Sequence, residues 1–362
     1  MSDEVPYGTF SSITQDPRLK ADRLSLRSAD FDSGSSGASA QDDNEDQILK
    51  PHHSAQDDSY VRPFAYLKIA DGCDRHCSYC TIPSIRGPYR STPLDELLAQ
   101  AREHIAAGTR ELILIAQDTG RYGLDLEEPS SLIVLLDALT RLPGLKRLRL
   151  MYLQPEGLTD ELLAFMAAHE VIVPYLEVPL QHASLEILRS MGRRPSDAQL
   201  FEKQIAQARA LMPDIALRTT LIAAYPGETQ EQFDELCAFV KRVGFDYVGV
   251  FAYSPEEGTA AAHLPAQHTP ETRRQRAQIL RDLADEIGWQ KAANRVGKHC
   301  EVLIEGHDEE EEECYYGRAP FQTPDIDGIV YVAGLDALPL NSYQAVELKA
   351  SMLYDLEGEI ID

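Results

Sequence analysis

Three of the chain's six cysteines lie within eight residues of one another, in the stretch "DGCDRHCSYCTIP" at 71–83. Cys73, Cys77 and Cys80 have the spacing C-x₃-C-x₂-C. A short loop with three thiolates can direct them at one metal cluster and leave one metal position open for a substrate or cofactor. His76 could in principle supply a fourth zinc ligand, but zinc motifs favour paired C-x₂-C units. Because the residues around the cysteines are polar, three separate buried thiols are disfavoured, and the spacing predicts a metal-cluster loop.

Six short apolar segments predict the strands that position this loop. They are residues 64–70, 111–116, 147–152, 175–180, 215–222 and 247–253. Amphipathic segments separate them, and Thr229 with Gln232 fits the capping box of a helix start. Strand–helix units in series predict an α/β fold with a parallel sheet, and six units predict an open or partial barrel. Active sites in such folds lie at the carboxyl ends of the strands, and the cysteine loop directly follows the first strand.

The chain changes character on either side of these units. Residues 1–62 include a Ser-, Gly- and Asp-rich stretch, which predicts a mostly disordered N-terminal segment and linker. The α/β core is predicted over residues 63–296 and ends with a long helix. Residues 297–362 show short alternating strands with Gly and Asp turns, and these predict a small antiparallel β-barrel.

The charge balance narrows the choice of partners. Asp and Glu number 59 against 34 Lys and Arg, a formal net charge of −25. Residues 297–362 alone hold 16 acidic and three basic residues. Such a surface suits a basic protein partner and makes RNA binding unlikely, because phosphate contacts need cations. We expect a cytoplasmic protein, since no apolar run is long enough to span a membrane, no secretory signal is evident, and the cysteines are few.

The cysteine motif resembles that of the radical S-adenosylmethionine (SAM) superfamily, with Tyr79 before its last cysteine. Longer strings, including "YLKIADGCDRHCSYCTIPSIRGPYRS", "LIAQDTGRYG", "PLQHAS" and "RTTLIAAYPGET", resemble the methylthiotransferase family. The C-terminal string "GRAPFQTPDIDGIVYV" resembles the TRAM barrel of the RimO branch of that family. The resemblance covers about residues 63–362 and implies a partial (β/α)6 TIM-like barrel of the radical SAM type followed by a TRAM barrel.

This resemblance implies an enzyme that adds a methylthio group to the β-carbon of an aspartate in a small-subunit ribosomal protein. Cys73, Cys77 and Cys80 would hold one 4Fe–4S cluster, and the amino and carboxylate groups of SAM would bind its open iron. One electron, from a donor such as flavodoxin or ferredoxin, would cleave SAM to methionine and a 5′-deoxyadenosyl radical. The cofactors supply the reaction, and the protein binds, orients and excludes water.

The resemblance also implies a set of side chains around SAM and the substrate. Tyr79 would pack against the adenine, and Arg218 would pair with the methionyl carboxylate. The residues predicted to bind the cofactor are Tyr79, Gln117, Asp118, Gln181, His182 and Arg218. Without the resemblance, Gln117, Gln181 and His182 read as ordinary hydrogen-bonded side chains at strand ends. Asp325 and Asp327, beside a turn in "PDIDG", are expected to face a basic substrate protein.

Two alternatives stay open, and two features depart from the family. One alternative is the tRNA-modifying branch of the family, which the acidic barrel disfavours. The other is a cluster-binding remnant that docks on ribosomal protein without sulfur transfer. Ala224 stands where the family usually has glycine. The family also carries an N-terminal domain with three cysteines for a second 4Fe–4S cluster, and we expect no ligands for that cluster in this chain. Cys237 is predicted to be a core residue, and Cys300 and Cys314 belong to the acidic barrel.

Overall fold

A computed structural model describes residues 62–193, 197–308, 314–334 and 337–361. The N-terminal segment predicted over residues 1–62 therefore lies outside the described residues, apart from residue 62. Residues 309–313 of the acidic run also lie outside them.

All six predicted strands are present, and the structure adds two short ones beside the cysteine loop. The strands are β1 Phe64–Lys68, β2 Ala70–Asp71, β3 Arg90–Ser91, β4 Glu111–Ile115, β5 Arg147–Leu150, β6 Tyr175–Glu177, β7 Ala216–Ala223 and β8 Tyr247–Ala252. Two parallel three-stranded sheets form, in the orders β1-β4-β5 and β6-β7-β8. The backbone N–H of Leu153 donates to the carbonyl of Glu177 at 3.1 Å and links the two sheets. The six strands thus run in sequence order, as a partial barrel requires.

Helices alternate with these strands along the chain, and the first of them lies within the cysteine loop. They are α1 Ile82–Arg86, α2 Leu94–Ala106, α3 Leu132–Thr140, α4 Asp160–Ala168, α5 Leu185–Ser190, α6 Ala198–Leu211, α7 Gln230–Val243 and α8 Pro270–Ala293. The predicted capping box of Thr229 and Gln232 is confirmed at the start of α7. Leucine, isoleucine, valine and phenylalanine side chains fill the space between helices and sheets as one buried cluster. Cys237 packs against that cluster, as predicted.

The C-terminal strands close into a five-stranded barrel. They are β9 His299–His307, β10 Cys314–Arg318, β11 Val330–Ala333, β12 Tyr343–Met352 and β13 Asp355–Ile360, in the closed order β10-β11-β13-β12-β9. The predicted antiparallel pairing is confirmed for four pairs, but β11 and β13 are parallel. The prediction missed this because the short β11 and the terminal β13 are not joined by a hairpin.

Buried ion pairs join this barrel to the amino ends of the core strands. The Arg318 guanidinium donates to Glu111 at 2.8 Å and to Glu305 at 2.6 Å. Arg149 donates to the other oxygen of Glu111 at 2.7 Å. Burial alone would raise the pKa of Glu111, but the Arg149 and Arg318 guanidinium groups hold it at about 2. Glu111 is therefore a buried anion that two cations stabilise.

Among the described residues, no helix combines the length and the apolar character needed to cross a membrane.

Candidate active site

The cysteine loop projects from the carboxyl edge of the core, between β2 and β3. These two strands pair antiparallel, Ala70 with Ser91 and Asp71 with Arg90, and they close the base of the loop. Gly72 begins the loop with a φ of 77°, and a Cβ there would collide with the backbone of Pro88. Only glycine meets both conditions.

Backbone N–H groups already point at two of the three sulfurs. Arg75 N–H donates to Cys73 Sγ and Ile82 N–H donates to Cys80 Sγ, each at 3.4 Å. Such bonds favour a thiolate, whereas burial raises the pKa of both Cys73 and Cys80. Cys77 is half-buried like the other two. Within the described residues, no three His, Cys, Asp or Glu side chains form a preassembled metal site. The loop fits an iron–sulfur cluster through its donor set and its N–H···S bonds.

The segment that ends helix α5 supports the back of the loop. Ser78 N–H donates to the Met191 carbonyl at 3.0 Å, and Ser78 Oγ donates to the Ser190 carbonyl at 2.9 Å. At Gly192, which has a φ of 77°, a Cβ would lie 2.6 Å from the carbonyl oxygen of His76. This close approach requires glycine and fixes the distance between the two segments.

Asp118 lies directly after β4 and is 1% exposed. Its Oδ2 accepts a hydrogen bond from Arg75 Nε at 2.8 Å, and Arg75 also reaches Glu156 at 3.2 Å. Asp118 Oδ1 has no partner among the described residues. Burial raises the pKa of Asp118, although the Arg75 charge opposes that shift. Asp118 therefore anchors the cysteine loop through one of its oxygens.

Other buried polar atoms at this edge also lack partners within the described residues. They include Gln117 Oε1, Tyr253 Oη directly after β8, and Nε of Arg193, a residue only 3% exposed. Arg193 Nη2 donates to Gln154 Oε1 at 2.7 Å and to the Pro179 carbonyl at 2.6 Å.

Sequence reasoning missed Arg75 and Arg193. Arg75 could have been noticed as a cation inside the cysteine motif itself. No signal marks Arg193, which follows a short helix and is adjacent to the loop only in the fold.

Tyr79 packs against an apolar group formed by Ile187, Met191, Tyr225, Tyr253 and Ala261. Burial raises the pKa of the Tyr79 hydroxyl. The aromatic ring thus has an apolar surround on the cysteine side of the edge, as a residue that packs against adenine would need.

Gln181 lies on the same edge and has a φ of 77°, which is rare for a residue other than glycine. Its backbone N–H donates to the Thr220 carbonyl and its carbonyl accepts from Ile222, both at 2.9 Å. These two bonds hold the strained backbone in place.

His182 is fully buried, and both of its ring nitrogens are engaged. The Ser184 N–H donates to Nδ1 at 2.9 Å, so the neutral ring carries its proton on Nε2, which donates to Glu228 Oε2 at 3.1 Å. Glu228 in turn accepts from Arg276 at 2.6 Å and from the Ala224 N–H at 3.0 Å. His182 therefore ties together the loops after β6 and β7 and has no free nitrogen for a cofactor.

Arg218 and Asp327 are bound to each other, which corrects the predicted role of Asp327. Arg218 Nη1 donates to Asp327 Oδ1 at 2.6 Å, and Tyr175 Oη donates to Oδ2 at 2.6 Å. Asp327 is 0% exposed, so its side chain is not presented to a partner protein. Arg218 is the third residue of β7 and lies nearer the amino end of that strand. Only Asp325 of the predicted pair is exposed.

The remaining cysteines lie away from this loop in the chain. Cys300 is in β9 and packs against the second apolar cluster, and Cys314 begins β10.

Two parts of the described chain match known families. Residues 67–240 match the radical SAM superfamily, and residues 296–361 match the TRAM domain. The chain is 44% identical to the "Ribosomal protein uS12 methylthiotransferase RimO" of Pelotomaculum thermopropionicum over 300 residues, which are 82% of this chain and 67% of that protein. It is 46% identical to the protein of the same name in Nitratidesulfovibrio vulgaris over 294 residues, 81% of this chain and 68% of that protein.

Proposed function

Because this chain belongs to the RimO family of ribosomal protein uS12 methylthiotransferases, we propose that it transfers a methylthio group to the β-carbon of an aspartate in uS12. The observation that carries this proposal is the identity of 44–46% to proteins of that name, over about 300 residues that include both the cysteine loop and the C-terminal barrel. Such a reaction on a ribosomal protein would take place in the cytoplasm, with flavodoxin or ferredoxin as a suitable electron donor.

The cysteine loop is the proposed site of the cluster. Cys73, Cys77 and Cys80 are the three proposed ligands of one 4Fe–4S cluster, and SAM is proposed to bind the open position. When bound, the cluster and SAM supply the radical chemistry for which the superfamily is named. Two backbone N–H groups, those of Arg75 and Ile82, stabilise the thiolates that such a cluster needs.

The unpartnered acceptors at the same edge fit the cationic and hydroxyl groups of SAM. Gln117 Oε1 and Asp118 Oδ1 are buried and without partners in the described chain, and a buried acceptor left unpaired costs about 1–3 kcal/mol. A ligand that donates hydrogen bonds to them would recover that cost. Tyr79 and its apolar surround would cover the adenine and exclude water.

Other residues hold these groups in place. Arg75 bridges the cysteine loop to Asp118 and Glu156, which lie after β4 and β5. His182 and Gln181 fix the backbone after β6. Gly192 permits the contact between the loop and the end of α5. Because its guanidinium is bound to Asp327, Arg218 is proposed to hold the C-terminal barrel in position. It is not proposed to bind the methionyl carboxylate.

Recognition of the substrate protein is proposed to be electrostatic. Residues 297–362 carry 16 acidic and three basic residues, which suits a protein rich in Lys and Arg and opposes RNA. Asp325 is the exposed carboxylate of the turn beside the core and is proposed to contact that protein.

The test is anaerobic incubation of the reconstituted chain with reductant, SAM, a sulfide source and uS12, followed by mass analysis of uS12. Because the cysteines outside the loop form no second cluster motif, we expect release of 5′-deoxyadenosine with at most a low yield of methylthio adduct from this chain alone. Any adduct should form on one aspartate of uS12 and none on tRNA in a parallel reaction. Cys77→Ala should abolish transfer, while Cys237→Ala, which changes a half-buried thiol in α7, should retain it. Modification of tRNA with no modification of uS12 would contradict the proposed substrate.

A further inference from the structure

We propose that Arg193 is the counter-cation of the iron–sulfur cluster, that is, the buried positive charge that makes the cluster easier to reduce. This inference rests on the proposed function only in requiring that the cysteine loop holds a cluster.

The first observation is that the Arg193 charge is not neutralised by protein. The side chain is 3% exposed, and its two hydrogen bonds go to neutral acceptors, the Gln154 amide oxygen and the Pro179 carbonyl. In the described part of the chain, no carboxylate lies within salt-bridge distance of it, and its Nε has no partner. A buried charge without a counter-ion is costly, so an arginine in this position calls for an anion.

The second observation is that the segment carrying Arg193 touches the cysteine loop. The Met191 carbonyl accepts from Ser78 N–H, and the Cβ position of Gly192 lies 3.5 Å from Cys77 Cα. The guanidinium itself lies at the same edge, because it binds Gln154, two residues before the Glu156 carboxylate that binds Arg75 of the cysteine loop.

Arg75, another arginine at this edge, provides a contrast. Arg75 lies inside the loop, but Asp118 and Glu156 lie 2.8 and 3.2 Å from its guanidinium nitrogens. Its positive charge is therefore offset by two carboxylates. Arg193, by contrast, is a buried cation with no carboxylate within salt-bridge distance among the described residues.

The iron–sulfur cluster would itself be the anion that pairs with Arg193. An iron–sulfide core ligated by three thiolates is anionic, and one-electron reduction adds a further negative charge. The reduction potential of such clusters depends on nearby charge and burial. A fixed buried cation stabilises the reduced form more than the oxidised form and so raises the potential.

The experiment is a reductive titration of the reconstituted full chain, followed by electron paramagnetic resonance in the absence of SAM. Arg193→Gln should shift the midpoint potential to a more negative value. At the solution potential where the wild-type cluster is half reduced, the ratio of reduced to oxidised cluster should fall on the order of tenfold. Arg193→Lys, which keeps the charge, should stay near the wild type. The matched control is Arg189→Gln, which removes an exposed arginine of the preceding helix α5 and should cause no shift.

Each outcome decides the question. An unchanged potential in Arg193→Gln at full iron content would overturn the inference. A shift that appears only when SAM is present would overturn it in favour of a carboxylate ligand. If Arg193→Gln loses the cluster, retention of cluster and potential by Arg193→Lys supports the charge, while loss in both variants shows a structural role and overturns it. A wild-type chain that assembles no cluster would overturn this inference and the proposed function together, whereas a normal cluster with an unshifted variant would leave the proposed function intact.

Discussion

Buried charged groups are paired differently at the two ends of the six core strands. At the amino ends, each buried carboxylate meets a guanidinium: Glu111 binds Arg149 and Arg318, Glu305 binds Arg318, and Asp327 binds Arg218. At the carboxyl edge, Gln117 Oε1, Asp118 Oδ1 and Arg193 Nε have no partners in the described chain. Arg149 Nη2 and Arg218 Nε at the amino ends also lack hydrogen-bond partners there, but each of these guanidinium groups binds a carboxylate, whereas Arg193 binds none among the described residues. The paired charges hold the C-terminal barrel against the core, and a buried cation without a carboxylate is what a site for an anionic ligand leaves open.

The largest effect on folding is expected at the amino ends. Arg318→Met leaves Glu111 and Glu305 without their shared cation, so the free energy of unfolding should fall by about 3–5 kcal/mol. Denaturant unfolding of the apo chain measures this. Arg274, which pairs with Glu271 on the surface of α8 and is 69% exposed, provides the control, because Arg274→Met should change stability by less than about 1 kcal/mol. Equal effects of the two substitutions would remove the distinction between the junction and an ordinary surface pair.

A smaller effect should separate the two ends by the sign of their pH dependence. The folded pKa of Glu111 is about 2, below its usual value of 4.5, so its stabilising contribution is full above pH 4.5 and is lost as the pH falls toward 2. Asp118 has a folded pKa above its usual value because it is buried. The folded state therefore binds that proton more readily, and the contribution of Asp118 to stability rises as the pH falls.

The variants Glu111→Gln and Asp118→Asn test these signs. As the pH falls, the stability of the wild type relative to Glu111→Gln should decrease, and its stability relative to Asp118→Asn should increase. Denaturant unfolding of the apo chain at a series of pH values from neutral to acid measures both differences. If both stability differences changed in the same direction as the pH falls, the predicted electrostatic contrast between the two strand ends would be wrong.

The sequence predicted local features of the fold well and long-range pairings poorly. The six strands and the Thr229 capping box follow from patterns within a few residues of one another, and both are confirmed. The ion pair between Arg218 and Asp327 joins residues 109 positions apart. Each residue alone resembled a ligand-binding group, because an arginine in an apolar strand and an aspartate beside a turn give no sign of each other.

The site shows the same limit. Their spacing selects the three cysteines as candidates, and their position after a strand selects Gln117 and Asp118. Arg193 is adjacent to them only because Gly192 allows the end of α5 to approach the backbone of His76. His182 was predicted from its place in a family string, yet the bonds to Ser184 and Glu228 that occupy its ring exist only in the folded chain.

SAM cleavage by the anaerobically reconstituted protein tests most directly whether the carboxyl edge holds a cluster and SAM. The measurement is the iron and sulfide content of the protein together with the 5′-deoxyadenosine released after addition of reductant. We predict iron, sulfide and 5′-deoxyadenosine for the wild type and for Cys237→Ala, and loss of the product for Cys77→Ala. Protein that holds zinc in place of iron, or a Cys77→Ala variant that still releases 5′-deoxyadenosine, would contradict the account.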